Sequence, residues 1–289
     1  MTLSYVDNAM NDYCSADSKH NADDKNHKPL SPRKKTIARH FSHAADYEQH
    51  ANIQRQICQH LIARVAQPQQ RRVLEIGAGT GQLTALLAAH IHSVDWDVNE
   101  LSSSQAATLQ SLLPTATILI GDAETMDLAD HYSLIMSANA VQWFDNPLSF
   151  IAQSMARLDT GGQLLFNTFT PDNFLQIKAL TDQGLYYPDI AEWHEALVEV
   201  GFKNIELHTE RFDLLFSRPY EVLKHMKLTG VSTNLAQVNA AHSQPFVWTK
   251  SRLQQFESDY WQRFAIKNEQ DQPRVALTYE ALIISTFKP

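Results

Sequence analysis

Residues 73–82 read VLEIGAGTGQ, and this stretch decides the fold. Val73, Leu74 and Ile76 form a short apolar run, and Gly77, Gly79 and Gly81 follow at alternate positions. The chain holds only nine glycines in 289 residues, so three within five positions mark a turn that needs them. Glycine reaches dihedral angles that other residues adopt only with strain, and it lets a ligand approach the backbone. A strand (RRVLEIG, 71–77) entering such a turn and a helix (GQLTALLAAH, 81–90) leaving it make the first unit of an open α/β sheet. Ligands of such sheets sit at the carboxyl ends of strands, near the point where the strand order reverses.

The alternation continues outward from that turn. IHSVDW (91–96), ATILIG (116–121), YSLIMSA (132–138) and QLLFNTF (163–169) read as strands, while VNELSSSQAATLQSLL (98–113) and NPLSFIAQSMARL (146–158) read as helices. Short apolar strands separated by helices predict a parallel sheet covered on both faces. Right-handed crossovers then give a Rossmann-like, doubly wound, mostly parallel sheet of seven strands. After Pro171 a helix at 189–202, a strand at 204–216, helices at 219–231 and 249–264 and a final strand at 274–287 complete the pattern. The helices between the last two strands predict an inserted lid over about 217–270. Ahead of the sheet, 37–65 carries Ile53, Ile57 and Leu61 at helical spacing and predicts an N-terminal helical segment. Residues 1–36 are polar and poor in apolar side chains, which predicts a disordered tail before a domain spanning 37–289.

Composition narrows the function. A formal charge of −8 disfavours a nucleic-acid binder. No apolar run reaches the ~20 residues a membrane helix needs, and the polar N-terminus lacks a signal peptide's apolar core. Cys14 and Cys58 give no disulfide framework, so two free thiols in a reducing cytoplasm are expected. No metal site is expected.

The turn discriminates between two nucleotide ligands. The dinucleotide fingerprint is G-x-G-x-x-G, whereas here the third glycine comes one place early and Gln82 occupies its position. That spacing disfavours a nicotinamide-dependent oxidoreductase. Glu75, just before the turn, would repel a pyrophosphate and attract a cation. S-adenosylmethionine is cationic at sulfur and at its amino group, and E-x-G-x-G-x-G resembles the first motif of class I methyltransferases. Further acids follow successive strands: Asp95, with Asp97 as an alternative, suits the ribose hydroxyls, and Asp122 with Ala123 in GDAETM (121–126) suits adenine. Each acid alone is better explained as a turn or cap residue; together at one sheet edge they point to a cofactor site.

Flanking segments sharpen the resemblance. FSHAADYEQHANIQRQ (41–56), SANAVQWF (137–144), LKHMKLTGVSTN (223–234) and LTYEALIIST (277–286) resemble, in order and spacing, the malonyl-[acyl-carrier protein] O-methyltransferases of biotin synthesis. The resemblance covers nearly everything after residue 36. It implies methyl transfer from S-adenosylmethionine to the free carboxylate of a malonyl thioester on acyl carrier protein, or on coenzyme A. It also implies cofactor contacts from Tyr47, Glu75, Gly77, Gly79, Gly81, Asp95, Asp122, Ala123 and Asn139. Two positions depart from the family pattern. The family's Ser-Asn pair is here Ser137–Ala138 with Asn139 one place later, and its Leu-Lys-Gly reads Met226–Lys227–Leu228.

A malonyl carboxylate is ionised at neutral pH, since carboxyl groups titrate near pH ~4. No general base is required, and His40, His43 and His50 are better read as helix histidines. What the reaction requires is positioning, and a guanidinium suits a carboxylate because its fork engages both oxygens. Arg55 and Lys227 are the cationic candidates for acceptor binding, with Trp143 as a channel wall. Acidic carrier protein would favour a locally basic surface, for which Pro32–Lys35 with Arg39, or Lys224, His225 and Lys227, are candidates. The competing readings are a methyltransferase acting on a quinone precursor or an amine, and a non-catalytic S-adenosylmethionine-binding partner protein.

Overall fold

The computed structural model describes residues 30–41, 51–229 and 248–289. The chain runs α1 (Pro32–Phe41), α2 (Asn52–Ile62), β1 (Gln69–Ile76), α3 (Gln82–His90), β2 (His92–Glu100), α4 (Ala106–Leu112), β3 (Thr117–Ile120) and β4 (Tyr132–Ser137). It continues through α5 (Ser149–Arg157), β5 (Leu158–Phe169), α6 (Leu175–Thr181), α7 (Ile190–Val200), β6 (Lys203–Phe216), α8 (Pro219–Leu228), α9 (Lys250–Phe264), β7 (Ala265–Lys267) and β8 (Pro273–Phe287).

Seven strands lie side by side in the order β3-β2-β1-β4-β5-β8-β6, and the three-residue β7 adds to β8. Strands β1 to β5 are mutually parallel, while β8 runs antiparallel to both β5 and β6. The expected doubly wound sheet is therefore the fold, with β7 as an addition. The chain winds from β1 to β3 on one side, then crosses to β4 on the other, so the reversal lies between β1 and β4.

Alternation along each strand builds two cores. Val73, Leu134, Leu165 and Ile283 join the layer containing Ile53, Ile57 and Leu61 of α2 and Leu83 and Leu87 of α3. Leu74, Ile135, Phe166 and Ile284 face the other way, onto Phe150 and Ile151 of α5 and Trp193 and Leu197 of α7. Fully burying a leucine such as Leu87 or Leu197 contributes about 1.5–3 kcal/mol. A carboxylate-stapled capping box, Asp189 with Glu192, starts α7 and fixes its entry.

Two expectations shift. Residues 32–36, assigned to the tail, open α1 instead, while residues 1–29 lie outside the described residues. Ser31 Oγ accepts from the Lys34 backbone N–H, and Pro32 takes the first helical position. The second strand runs to Glu100, four residues beyond the expected end, because the polar side chains there, Asp97, Asn99 and Glu100, each find a partner. Asp97 accepts from Arg72 and from the Tyr132 hydroxyl at 2.7 Å each, and Asn99 donates to the Leu119 and Gly121 carbonyls. Helices α8 and α9 lie between β6 and β8, where the inserted lid was expected, and α9 packs on α6 and α8. Among the described residues, no helix is long and apolar enough to cross a membrane.

Candidate active site

A cleft of about 900 Å³, its open mouth included, sits over the carboxyl ends of β1, β2 and β4. Its floor is the glycine turn, and the three glycines have different tasks. Gly77 has φ +70°, and a Cβ there would come within 2.3 Å of the Ala140 Cβ. The turn after β4 can thus close down onto the turn after β1. Gly79, at φ +56°, faces open space, so a side chain there would project from a strained backbone into unfilled volume. Gly81 does not line the cleft; it starts α3 and packs against Leu109 and Leu112.

Acids surround this turn. Glu75 is buried and accepts from the Thr84 hydroxyl at 2.8 Å through one oxygen, while its other oxygen has no partner. Burial pushes its carboxyl up to about 8, against the Thr84 hydrogen bond and with help from the repulsion of Glu100. Glu100, also buried, accepts from the Gly79 and Ser102 backbone N–H groups at 2.8 Å. Burial raises its carboxyl above the ordinary value, and those N–H groups oppose the rise. Gln82, which lines the same space, has a buried amide nitrogen without a partner. Unpaired buried polar atoms around a cleft are what a bound polar ligand would satisfy. With two carboxylates and neither lysine nor arginine beside the turn itself, the residues fit a cationic nucleoside.

Helix α1 closes one wall. Lys34, 3 % exposed, donates to Asp122 at 3.2 Å and to Glu124 at 2.6 Å, and its ammonium lies 4.9 Å from the Phe144 ring centre. Arg33 donates to the Trp143 carbonyl at 2.9 Å and to Asp145 at 2.5 Å. Ile37 and Ala38, on the same helix, line the cleft. Two of the four basic residues in the proposed Pro32–Arg39 surface patch are therefore engaged internally.

The other expected site residues divide. Asp122, Ala123, Asn139 and Trp143 line the cleft. Asp95 does not: it lies in the first half of β2, exposed, across from Arg72. Its alternative, Asp97, is held by Arg72 and Tyr132 toward the opposite end of the sheet. With β2 running to its true end, the acid at the edge is Glu100. Arg55 is exposed on α2, where it donates to Asn52 at 3.2 Å, and Lys227 is exposed on α8; neither lines the cleft. Tyr47 lies outside the described residues.

Adjoining the cleft is a smaller chamber of about 370 Å³, its open mouth included. Asn139 and Trp143 line both spaces. Asn139 adopts a left-handed backbone (φ +54°), held by Asn167, which accepts from its N–H at 2.8 Å and donates to its side-chain oxygen at 3.2 Å. This strained residue forms the partition between the spaces.

Comparison with known proteins agrees with this geometry. A methyltransferase domain family matches residues 48–207. The malonyl-[acyl-carrier protein] O-methyltransferase of Porphyromonas gingivalis is 35 % identical over 85 % of this chain and 92 % of its own length. The protein of the same name from Haemophilus ducreyi is 33 % identical over 88 % and 97 %. Among solved structures, the YcgJ protein of Bacillus subtilis superposes with a TM-score of 0.56 at 14 % identity, covering 81 % of this chain and 98 % of that one. Phosphoethanolamine N-methyltransferase 2 of Haemonchus contortus, bound to S-adenosyl-L-methionine, superposes with a TM-score of 0.54 at 14 % identity, over 90 % and 60 %. At those identities the structural likeness speaks to fold alone, and the sequence relatives decide the family: the chain belongs to the malonyl-[acyl-carrier protein] O-methyltransferases, S-adenosylmethionine-dependent enzymes of the class I methyltransferase fold.

Proposed function

We propose that this enzyme methylates the free carboxylate of a malonyl group carried as a thioester on acyl carrier protein. The observation that carries the reading is the pair of adjoining chambers, in a chain whose relatives of matching length bear that activity in their names. One chamber is lined by acids and glycines, the other is neutral and largely aromatic. S-adenosylmethionine supplies an electrophilic methyl group when bound. Glu75 meets its ammonium group and Glu100 its ribose hydroxyls, with Asp122 and Ala123 at the adenine. Gly77 and Gly79 give the backbone its close approach, Gly81 sets the helix that follows, and Asn139 and Tyr47 complete the donor site. Helices α8 and α9 act as the lid of the acceptor side.

The carboxylate is its own nucleophile, so the protein has no proton to remove. Its tasks are to align the attacking oxygen with the methyl group and to exclude water, and alignment alone can supply most of an acceleration. Esterification removes the negative charge from the end of the acyl chain. The product suits a subsequent chain-elongating condensation, whose enzymes take apolar acyl ends. The test is direct: with S-adenosylmethionine and malonyl-acyl carrier protein, mass spectrometry should find one added methyl on the carrier-bound acyl group. Equal turnover of malonyl-coenzyme A would relocate the specificity to the thioester's acyl end, and turnover of amines or quinone precursors alone would refute the reading.

A further inference from the structure

The inner chamber is lined by no lysine, arginine, aspartate or glutamate among the described residues. Among the described residues, the chamber of an enzyme that handles an anionic acceptor is thus lined by no permanent cation, the Lys178 ammonium lying outside it, 4.7 Å from the Tyr187 ring centre. What the chamber does hold is hydrogen-bonding capacity set in an aromatic wall.

Two buried phenols are central. Tyr187 accepts from the Asn173 side-chain amide at 3.0 Å, which leaves the phenol's own proton to donate elsewhere. Tyr279 lies with its hydroxyl 2.9 Å from His225 Nε2, and the Gln54 and Thr229 side chains also bond to it; with His225 and Gln54 donating, the phenolic proton remains to be given. Phe174 packs edge-on against Tyr279 at 4.6 Å between ring centres, and Phe169 contacts both tyrosines. Burial pushes both phenols above their ordinary range, so they remain protonated donors throughout the neutral region. Gln54, 4 % exposed, has a side-chain oxygen without a partner. Its amide nitrogen hydrogen-bonds Tyr279 and has a second N–H to offer.

We propose that the acceptor carboxylate is gripped in this inner chamber by neutral donors, the Tyr279 and Tyr187 hydroxyls with the Gln54 amide, and not by Arg55 or Lys227. The inference rests on the malonyl reading above and identifies which side chains select a carboxylate. The physical advantage is differential. The carboxylate loses its charge as the ester forms, so a guanidinium holding it would stabilise the ground state more than the transition state. Neutral hydroxyls orient the oxygens with a weaker hold, and the aromatic wall strips their water. Asn139 and Trp143, common to both spaces, are where the carboxylate oxygen meets the methyl group.

The test uses malonyl-N-acetylcysteamine thioester, a minimal acceptor without carrier protein. Rates and donor affinity are measured for wild type, Tyr279→Phe, Tyr187→Phe and the double variant. Phenylalanine keeps the ring packing, and unchanged S-adenosylmethionine affinity verifies the fold. Each single variant should lower kcat/KM by about 10- to 100-fold, the range expected for losing a hydrogen bond to a charged group. The double variant should lose more than either. Wild-type kcat/KM in both tyrosine variants, or loss confined to Arg55→Ala and Lys227→Ala, overturns the proposal. A wild-type enzyme that binds S-adenosylmethionine yet methylates neither this thioester nor malonyl-acyl carrier protein refutes the malonyl reading itself, and this inference with it.

Discussion

The Gly79 backbone N–H donates to the Glu100 carboxylate at 2.8 Å, tying the turn after β1 to the last residue of β2. The bond fixes the floor of the donor cleft and aims an acid at the crevice where the strand order reverses. Glu100→Gln keeps the side chain's size but removes its charge. The variant should weaken S-adenosylmethionine binding by about 10- to 100-fold, read by calorimetry, because a charged acceptor is lost. Asp95→Asn, on the exposed first half of β2, should leave that affinity within about twofold, since a lone surface charge contributes little.

With Glu75 in the proposed role, donor binding should be pH-dependent. In the unfolded chain its carboxyl loses its proton near 4.5, and in the fold near 8. Between those values the folded state holds more protons, so the ligand-free enzyme should lose stability as pH rises through the window and level off above it. An ammonium group on Glu75 favours the ionised form, so binding releases a proton. Donor affinity should therefore rise with pH toward about 8, relative to Glu75→Gln measured in parallel. Identical slopes for the two proteins would contradict this role.

Lys34 latches α1 over the cleft. Its ammonium and the Asp122 and Glu124 carboxylates are all largely buried. Removing one partner of such a group strands the others, at a cost of about 3 kcal/mol. Lys34→Ala should therefore lower stability by about that much in denaturant titration and weaken donor binding. Adding Glu124→Gln should restore part of the stability, because one uncompensated charge is then gone while a side-chain oxygen remains for the Asp145 or Asn146 N–H.

Gly77 and Gly79 should fail differently. Gly77→Ala collides with Ala140, and combining it with Ala140→Gly should relieve the collision but leave the positive-φ strain of about 1–2 kcal/mol. Gly79→Ala meets no atom within 4 Å, so its stability cost should be strain alone, while donor affinity drops further because its Cβ enters the cleft. Thermal melts paired with calorimetry separate the two cases.

The fold was legible because its signals are local. Val73 to Gly81 carries strand, turn and helix start within nine residues, and the alternation of Val73 with Leu74 or Leu134 with Ile135 reads directly as a sheet covered on both faces. The end of β2 was harder to see. Asn99 and Glu100 read as the start of the helix expected at 98–113, since strands are usually poor in them, and only partners distant in sequence (Arg72, Tyr132, the Leu119 carbonyl, the Gly79 N–H) make them, with Asp97, strand residues. The choice of Asp95 as the ribose acid follows from that boundary. The start of α1 did have a signal, Ser31 before Pro32, but the polar stretch preceding it masked the cap. Of the inner chamber, only Asn139 and Trp143 stood out in the sequence. Gln54, Gln142, Tyr187 and Tyr279 are scattered over more than two hundred residues and have no common spacing, so only the folded sheet brings them together.

The most direct measurement of the central claim is methyl transfer itself. Purified enzyme, S-adenosylmethionine with an isotopically labelled methyl group and malonyl-acyl carrier protein are combined, and the acyl group is examined by mass spectrometry. The account predicts a single labelled methyl on the malonyl carboxylate, released as methanol by mild base. Label that resists base, label on the carrier protein's own side chains, or no label on the acyl group would contradict it.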